Sequence, residues 1–246
     1  MRISQDQTSE INFYKVNKDP LYYDKAIEER VVKLADFSLG SLILDAACGD
    51  GYWGRVFTSR GCRTIGLDIS TDSLVRVRAR SLAGQEFVVG NLLERLLFPK
   101  EYFDGIVCGG ILHHLPSVSD IEIVLNNLSP CLKRNGKLII VEPNGSNPIM
   151  KISRFLGRFL VKIYPFVATA NETVHTVKAY KTTFGSCNFR VIVSEQYRHD
   201  PNGKMKIHNL FSFMTESRRK LFDLSWRILP PEFGGNETLF IVSKSK

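Results

Sequence analysis

The sequence predicts an α/β fold built on a mostly parallel sheet, and three observations carry that expectation. Short apolar runs rich in β-branched residues alternate with amphipathic stretches of helical length. A glycine-rich turn follows the first of these runs. The 246 residues, 43% hydrophobic and 24% charged, have the composition of an ordinary globular protein. The length suits a single domain, divided into an N-terminal cap (1–40), a ligand-binding core (41–145), additions that shape a substrate site (146–235) and a last strand (236–246).

In chain order, strands are expected at 41–46 (SLILDA), 63–68 (RTIGLD), 86–90 (EFVVG), 103–108 (FDGIVC), 137–142 (KLIIVE), 189–196 and 237–243, with helices filling the gaps. Between the fourth and fifth strands, Ser117 or Ser119 can cap a helix on which Ile121, Leu125, Leu128 and Leu132 recur at helical spacing, and Asn135-Gly136 is its expected stop. That helix covers one face of the sheet. After the fifth strand the alternation lapses, and 143–188 and 198–235 read as additions that build a substrate site.

Several classes are excluded. No run reaches the roughly 18 uninterrupted apolar residues of a membrane span, because the best candidate, Phe155 to Ala170, is broken by Arg158 and Lys162. The N-terminus lacks the apolar region of a secretion signal, so a cytoplasmic protein is expected. Five scattered cysteines (Cys48, Cys62, Cys108, Cys131, Cys187) without a C-x-x-C pair signal neither a disulfide framework nor a zinc site, and no metal is expected. The net charge of +8 is unevenly placed. Up to residue 145, 17 basic residues face 18 acidic ones; beyond it, 16 face 7. The C-terminal part is therefore either a solvated basic face or a surface that meets something anionic, such as a charged substrate, a lipid headgroup or nucleic acid.

The sharpest local signal is LDAACGDGYWG, in which a buried strand ending at Asp45 runs into Gly49, Gly51 and Gly54. These glycines fit G-x-G-x-x-G, and Asp68 follows about 20 residues later at the end of the second strand, as in a dinucleotide fold. Charge argues against a diphosphate, since Asp45 and Asp50 flank the loop and like charges ~4 Å apart repel by about 4 kcal/mol at an effective dielectric near 20. S-adenosylmethionine fits better: it carries an ammonium and a sulfonium but no phosphate, and its ribose diol offers Asp68 two donors.

With LDAACGDG, GLDIS, FDGIVCGGILHHLP and LSPCLKRNGKLIIVEP in this order, the chain resembles the class I S-adenosylmethionine-dependent methyltransferases over residues 40–145, within the methyltransferase type 11 group that includes the ubiquinone and menaquinone biosynthesis enzymes. The resemblance implies a Rossmann-like seven-stranded sheet of order 3-2-1-4-5-7-6 with strand 7 antiparallel, for which TLFIVSK at 238–244 is suited, and helical additions after strand 5 and between strands 6 and 7. It implies a cofactor site formed by Tyr22, Asp45, Ala47, Gly49, Gly51, Asp68, Ile69, Asn91, Leu92, Cys108 and Gly109. Asp45, Gly49 and Gly51 would hold the methionine part, Asp68 the ribose, Ile69 the adenine face, and the Cys108 carbonyl the ammonium. Gly90-Asn91 stands where the family usually has Gly-Asp, and the Asn side-chain oxygen can still accept from the adenine amine. Tyr14, Tyr22 and Tyr23 are placed to fold over the cofactor, or simply to pack.

Methyl transfer is an in-line displacement that alignment and exclusion of water promote. For a hydroxyl acceptor a base helps, and His113-His114 follows the fourth strand at the edge where open α/β sheets bind ligands. The same pair equally suits a loop-positioning role. His175, His199 and His208 lie in the additions, and none is singled out. On a helix over 149–163, Lys151, Arg154, Arg158 and Lys162 form a basic stripe beside Ile152, Leu156, Phe159 and Ile163. It reads as a lid, or as a membrane-surface helix that collects a lipid-like acceptor. Apolar residues clustered between Ile207 and Trp226, with Arg218, Arg219 and Lys220 among them, suit an apolar acceptor cavity with a basic margin. Nucleic acid is disfavoured, since the fourth strand ends in Cys108-Gly109-Gly110 without the Asn/Asp-Pro-Pro-aromatic segment that holds a base. The expected function is methyl transfer from S-adenosylmethionine to a small-molecule or lipid-like acceptor, with oxygen slightly favoured as the nucleophile. The alternatives are a nicotinamide-dependent oxidoreductase and a noncatalytic S-adenosylmethionine- or RNA-binding protein.

Overall fold

The computed structural model describes residues 25–148, 173–197 and 237–245, together with Thr8 and Phe233. Seven strands form one sheet: β1 (Leu42–Ala46), β2 (Arg63–Asp68), β3 (Gln85–Val89), β4 (Phe103–Gly109), β5 (Leu132–Pro143), β6 (Phe189–Tyr197) and β7 (Glu237–Lys244). Their order is β3-β2-β1-β4-β5-β7-β6. β7 runs antiparallel to both neighbours, and every other pairing is parallel. This is the topology that the resemblance implies.

The central strands read as nearly continuous apolar runs because both of their faces are covered. On one face Ile43, Val107, Ile139, Val141, Leu239 and Ile241 pack against α1 (Lys25–Ala35) and α2 (Tyr52–Thr58). On the other, Leu44, Ile106, Leu138, Ile140 and Phe240 pack against α4 (Val118–Leu128) and α5 (Val177–Ser186). The change of face from one residue to the next is the two-residue period of a strand. Burying each of these Leu, Ile, Val or Phe side chains contributes roughly 1.5–3 kcal/mol. α3 (Thr71–Arg78) begins at Ser70, whose hydroxyl accepts from the Ser73 amide, and packs Leu74 and Val77 against Cys48 and Phe87.

The structure moves two sequence expectations. α4 is capped by Ser117 as expected, in a capping box with Asp120, but it stops at Leu128 and not at Asn135-Gly136. Pro130 lies in a 3-10 turn over Ser129–Cys131, and Leu132 begins β5 by pairing with Phe103. An irregularity between Phe103 and Gly105 then shifts the register, so that Gly105 pairs with Lys137 and Gly136 is absorbed into the strand. Within 143–188, the described residues 173–188 are also more regular than the sequence suggests. α5 lays Tyr180 and Phe184 on the sheet beside Phe240, with ring centroids 5.1–6.1 Å apart, and leads directly into β6. All five cysteines are free and buried. Among the described residues no helix is long and apolar enough to cross a membrane, and no group of His, Cys, Asp or Glu could hold a metal ion.

Candidate functional site

Because β1, β2, β4 and β5 are parallel, their carboxyl ends share one sheet edge, the edge where open α/β sheets place ligands. β1 and β2 deliver Asp45 and Asp68 there, and β4 and β5 deliver Cys108-Gly109 and Glu142. The loop leaving β1 alternates left-handed residues: Ala47 at φ 58°, Gly49 at 48° and Gly51 at 72°. Ala47 holds this conformation without being glycine, at a cost of roughly 1–2 kcal/mol. The loop is fixed from outside and within. The Cys48 amide donates to the Leu67 carbonyl (2.9 Å) and the Gly51 amide to the Cys48 carbonyl (2.6 Å). The two glycines face different surroundings. A Cβ at Gly51 would lie 2.5 Å from Val77 Cγ2, whereas one at Gly49 would project into open space with no atom within 4 Å.

Asp68, 8% exposed, receives the loop: its Oδ2 accepts from the Gly49 amide (2.7 Å) and its Oδ1 from the Ser70 amide (2.8 Å). Each oxygen keeps a lone pair for another donor. Asp45, 3% exposed, lies under the loop and accepts from the Gly54 amide at 2.8 Å. Burial pushes it up to about 7, opposed by that hydrogen bond and helped by the nearby charge of Asp68. Asp68 is also raised, again chiefly by burial. A Cβ at Gly54 would sit 3.2 Å from the Asp45 carboxylate and 3.0 Å from Gln85 Nε2, which accounts for the third glycine by helix–sheet packing.

Asp50, which flanks the loop, forms an ion pair with the half-exposed Arg80 at 2.9 Å, so its charge is partly offset. The acidic character of the edge rests on Asp45 and Asp68, with Glu142 further along.

The other named positions are less uniform. Ala47 and Ile69 are half-buried at the edge. The Asn91 side-chain oxygen accepts from the Leu93 amide (3.0 Å), a local turn that uses one of its lone pairs. Leu92 is packed in the main core, with its carbonyl taken by Asn127 Nδ2 (2.9 Å). Cys108 is fully buried, and Gly109 ends β4 beside it. Tyr22 lies outside the described residues, as do Tyr14, Tyr23, His199, His208, the basic stretch 149–163 and the cluster from Ile207 to Trp226.

His113 and His114 occupy a 3-10 turn, Leu112–His114, with ring centroids 4.0 Å apart. His113 is buried, and its Nδ1 lies 2.8 Å from Oε2 of Glu142, itself 1% exposed. The sequence reading assigned Glu142 no role; its signal was a carboxylate closing an otherwise apolar strand just before Pro143. His175 also comes to this cluster. Thr173 donates to the His113 carbonyl (2.7 Å), Gly145 donates to the His175 carbonyl (3.2 Å), and a Cβ at Gly145 would collide with that carbonyl at 2.3 Å. Burial holds His175 below the usual histidine range, with Glu142 opposing and His113 adding to the effect.

Residues 43–136 match the family described as methyltransferase domain. The chain is 32% identical over 145 residues to a demethylmenaquinone methyltransferase of Thermobifida fusca, covering 57% of this chain and 59% of that protein's length. It is 31% identical over 177 residues to the demethylmenaquinone methyltransferase of Bacillus cereus (strain ATCC 10987 / NRS 248), covering 64% of this chain and 72% of that one. A crystal structure of an S-adenosylmethionine-dependent methyltransferase from Archaeoglobus fulgidus superposes with a TM-score of 0.63 at 19% identity, over 89% of this chain and 94% of that one, a likeness of fold.

Proposed function

Because the chain belongs to the class I S-adenosylmethionine-dependent methyltransferases, with S-adenosylmethionine as its cofactor, we propose that it is a single-domain enzyme that transfers a methyl group to a hydroxyl of a small or lipid-like acceptor. The bound cofactor supplies an electrophilic methyl group on a sulfonium that departs as a neutral thioether. The observation that carries the reading is the glycine loop: it presents open space over Gly49 between two buried carboxylates. Asp68 accepts the ribose hydroxyls with the lone pairs left by Gly49 and Ser70. Asp45 and the Cys108 carbonyl would hold the ammonium. Ile69, Asn91 and Leu92 would border the adenine and Ala47, Gly51 and Gly109 would shape the floor, while Tyr22, outside the described residues, is added on the family resemblance alone. His113 takes the proton that the acceptor hydroxyl gives up as its oxygen bonds to the methyl carbon, and His114 packs beside it.

The lipid-like class of the acceptor, though not the hydroxyl, is supported by the relatives, which are named for demethylmenaquinone, a lipid-like quinone. It is supported too by the basic stripe and apolar residues of 149–163. A nicotinamide reading loses ground, since the antiparallel β7 between β5 and β6 departs from the 3-2-1-4-5-6 order of dinucleotide folds. Calorimetric titration separates the two: S-adenosylhomocysteine is expected to bind and NADH not to. Asp68→Ala should weaken S-adenosylhomocysteine by about 2 kcal/mol, roughly thirtyfold, for the lost hydroxyl contacts. Unchanged affinity would refute the ribose assignment.

A further inference from the structure

Glu142 has four partners at the carboxyl end of β5. Its Oε1 accepts from the amides of Ile111 (2.9 Å) and Leu112 (2.7 Å), and its Oε2 accepts from the His113 amide (3.2 Å) and lies 2.8 Å from the ring Nδ1 of the same residue. The side chain is 1% exposed, so this arrangement excludes water as a competing partner. Three of the partners are backbone N–H groups whose protons cannot move, a set that suits an ionised carboxylate, since a protonated one could meet it only by turning its single O–H onto His113 Nδ1. Beside an ionised carboxylate, an imidazole nitrogen 2.8 Å away carries a proton of its own, because two acceptors at that distance repel. When the ring is neutral, its lone pair is therefore on Nε2.

We propose that Glu142 is the positioning residue of this site, holding His113 in the Nδ1–H form so that Nε2 is offered as a proton acceptor. The three backbone hydrogen bonds also moor the turn after β4 to the end of β5, fixing the ring's place as well as its tautomer. Orientation of an imidazole by a buried carboxylate is a general device for raising its basicity. The use of this device rests on the methyl-transfer reading, whereas the geometry does not. Among the described residues, the titratable groups around the pair are Cys108 at the end of β4, His114 in the same turn and His175 in the irregular approach to α5.

Long-range nitrogen–proton correlation spectra of the full 15N-labelled chain read the tautomer without cofactor or acceptor, with His113→Gln supplying the assignment. Neutral His113 is expected to carry its proton on Nδ1, and Glu142→Gln to move it toward Nε2, since the new amide donates where the carboxylate accepted. A neutral ring protonated on Nε2, a ring doubly protonated through about pH 8, or a tautomer unmoved in Glu142→Gln would each overturn the proposal. Should Glu142→Gln fail to fold, the wild-type spectrum decides alone. Titration with S-adenosylhomocysteine keeps the two readings apart. Absent binding with an Nδ1–H ring sinks the proposed function and leaves this inference standing, and the reverse result does the opposite. With an accepted substrate, Glu142→Gln should lower kcat on the order of 10²-fold, flatten the pH profile and leave the KM for the methyl donor nearly unchanged.

Discussion

Burial pushes the Asp45 carboxyl up to about 7, so near neutral pH a fraction of the ligand-free folded molecules keep a proton there. In the unfolded chain the same carboxyl titrates near 3.9. Between about pH 4 and 7 the folded state therefore holds a proton that the unfolded state has released, and the stability this contributes is lost as pH rises through that window, by a few kcal/mol at most. Asp45→Asn keeps an acceptor for the Gly54 amide and removes the titration. Urea denaturation should find it matched with wild type at pH 4 and more stable at pH 8, with weaker binding of S-adenosylhomocysteine. The glycines give a second contrast at this scale. Gly51→Ala forces a Cβ against fully buried Val77 and should cost on the order of 3 kcal/mol of stability. Gly49→Ala, whose Cβ meets only open space, should cost roughly 1–2 kcal/mol yet weaken S-adenosylhomocysteine at least about tenfold by intruding on the ligand's side of the loop. Equal effects of the two on binding would count against the proposed cradle.

At the scale of elements, α4 shows how a local signal sets a boundary. Ser117 accepts from the Asp120 amide, and Asp120 returns a bond to the Ser117 amide. Ser117 is exposed, so Ser117→Ala removes the cap with little packing. Thermal unfolding should register a loss of about 1 kcal/mol, a fall of roughly 2–4 °C in Tm, with cofactor binding untouched. The start of this helix was legible because capping is encoded within four residues. Its end was not, because Leu132 continues the helical apolar spacing and only pairing with Phe103 turns it into the start of β5. The glycine loop and Asp68 were legible for the same local reason, a short motif with a physical cause at each position. The pairing of Asp50 with Arg80 could not be read, since it joins a loop to the turn just beyond α3. Glu142 with His113 and the return of His175 were hidden likewise, because the partners lie 29 and 62 residues from His113 in sequence.

For the whole molecule, the uneven charge has a consequence that can be measured. The basic excess beyond residue 145 includes Lys151, Arg154, Arg158 and Lys162, whose sequence spacing would align them on a helix and suit attraction to anionic lipid, each basic residue contributing about 1 kcal/mol near the surface. The protein should co-sediment with vesicles containing phosphatidylglycerol and not with neutral ones. Half a molar salt should abolish the association as the Debye length shortens, and a double Arg158→Glu, Lys162→Glu variant should lose it at low salt. Equal partition onto neutral vesicles would assign the binding to apolar insertion instead. β7 bears on how the chain comes together. It supplies Leu239, Phe240, Ile241 and Val242, each at most 1% exposed, to a slot between β5 and β6. Synthesis proceeds from the N-terminus, so the ribosome makes this inner plank after the two it must join. Until it arrives, β6 has no partner in the sheet, and the seam between β5 and β6 stays open until β7 is made.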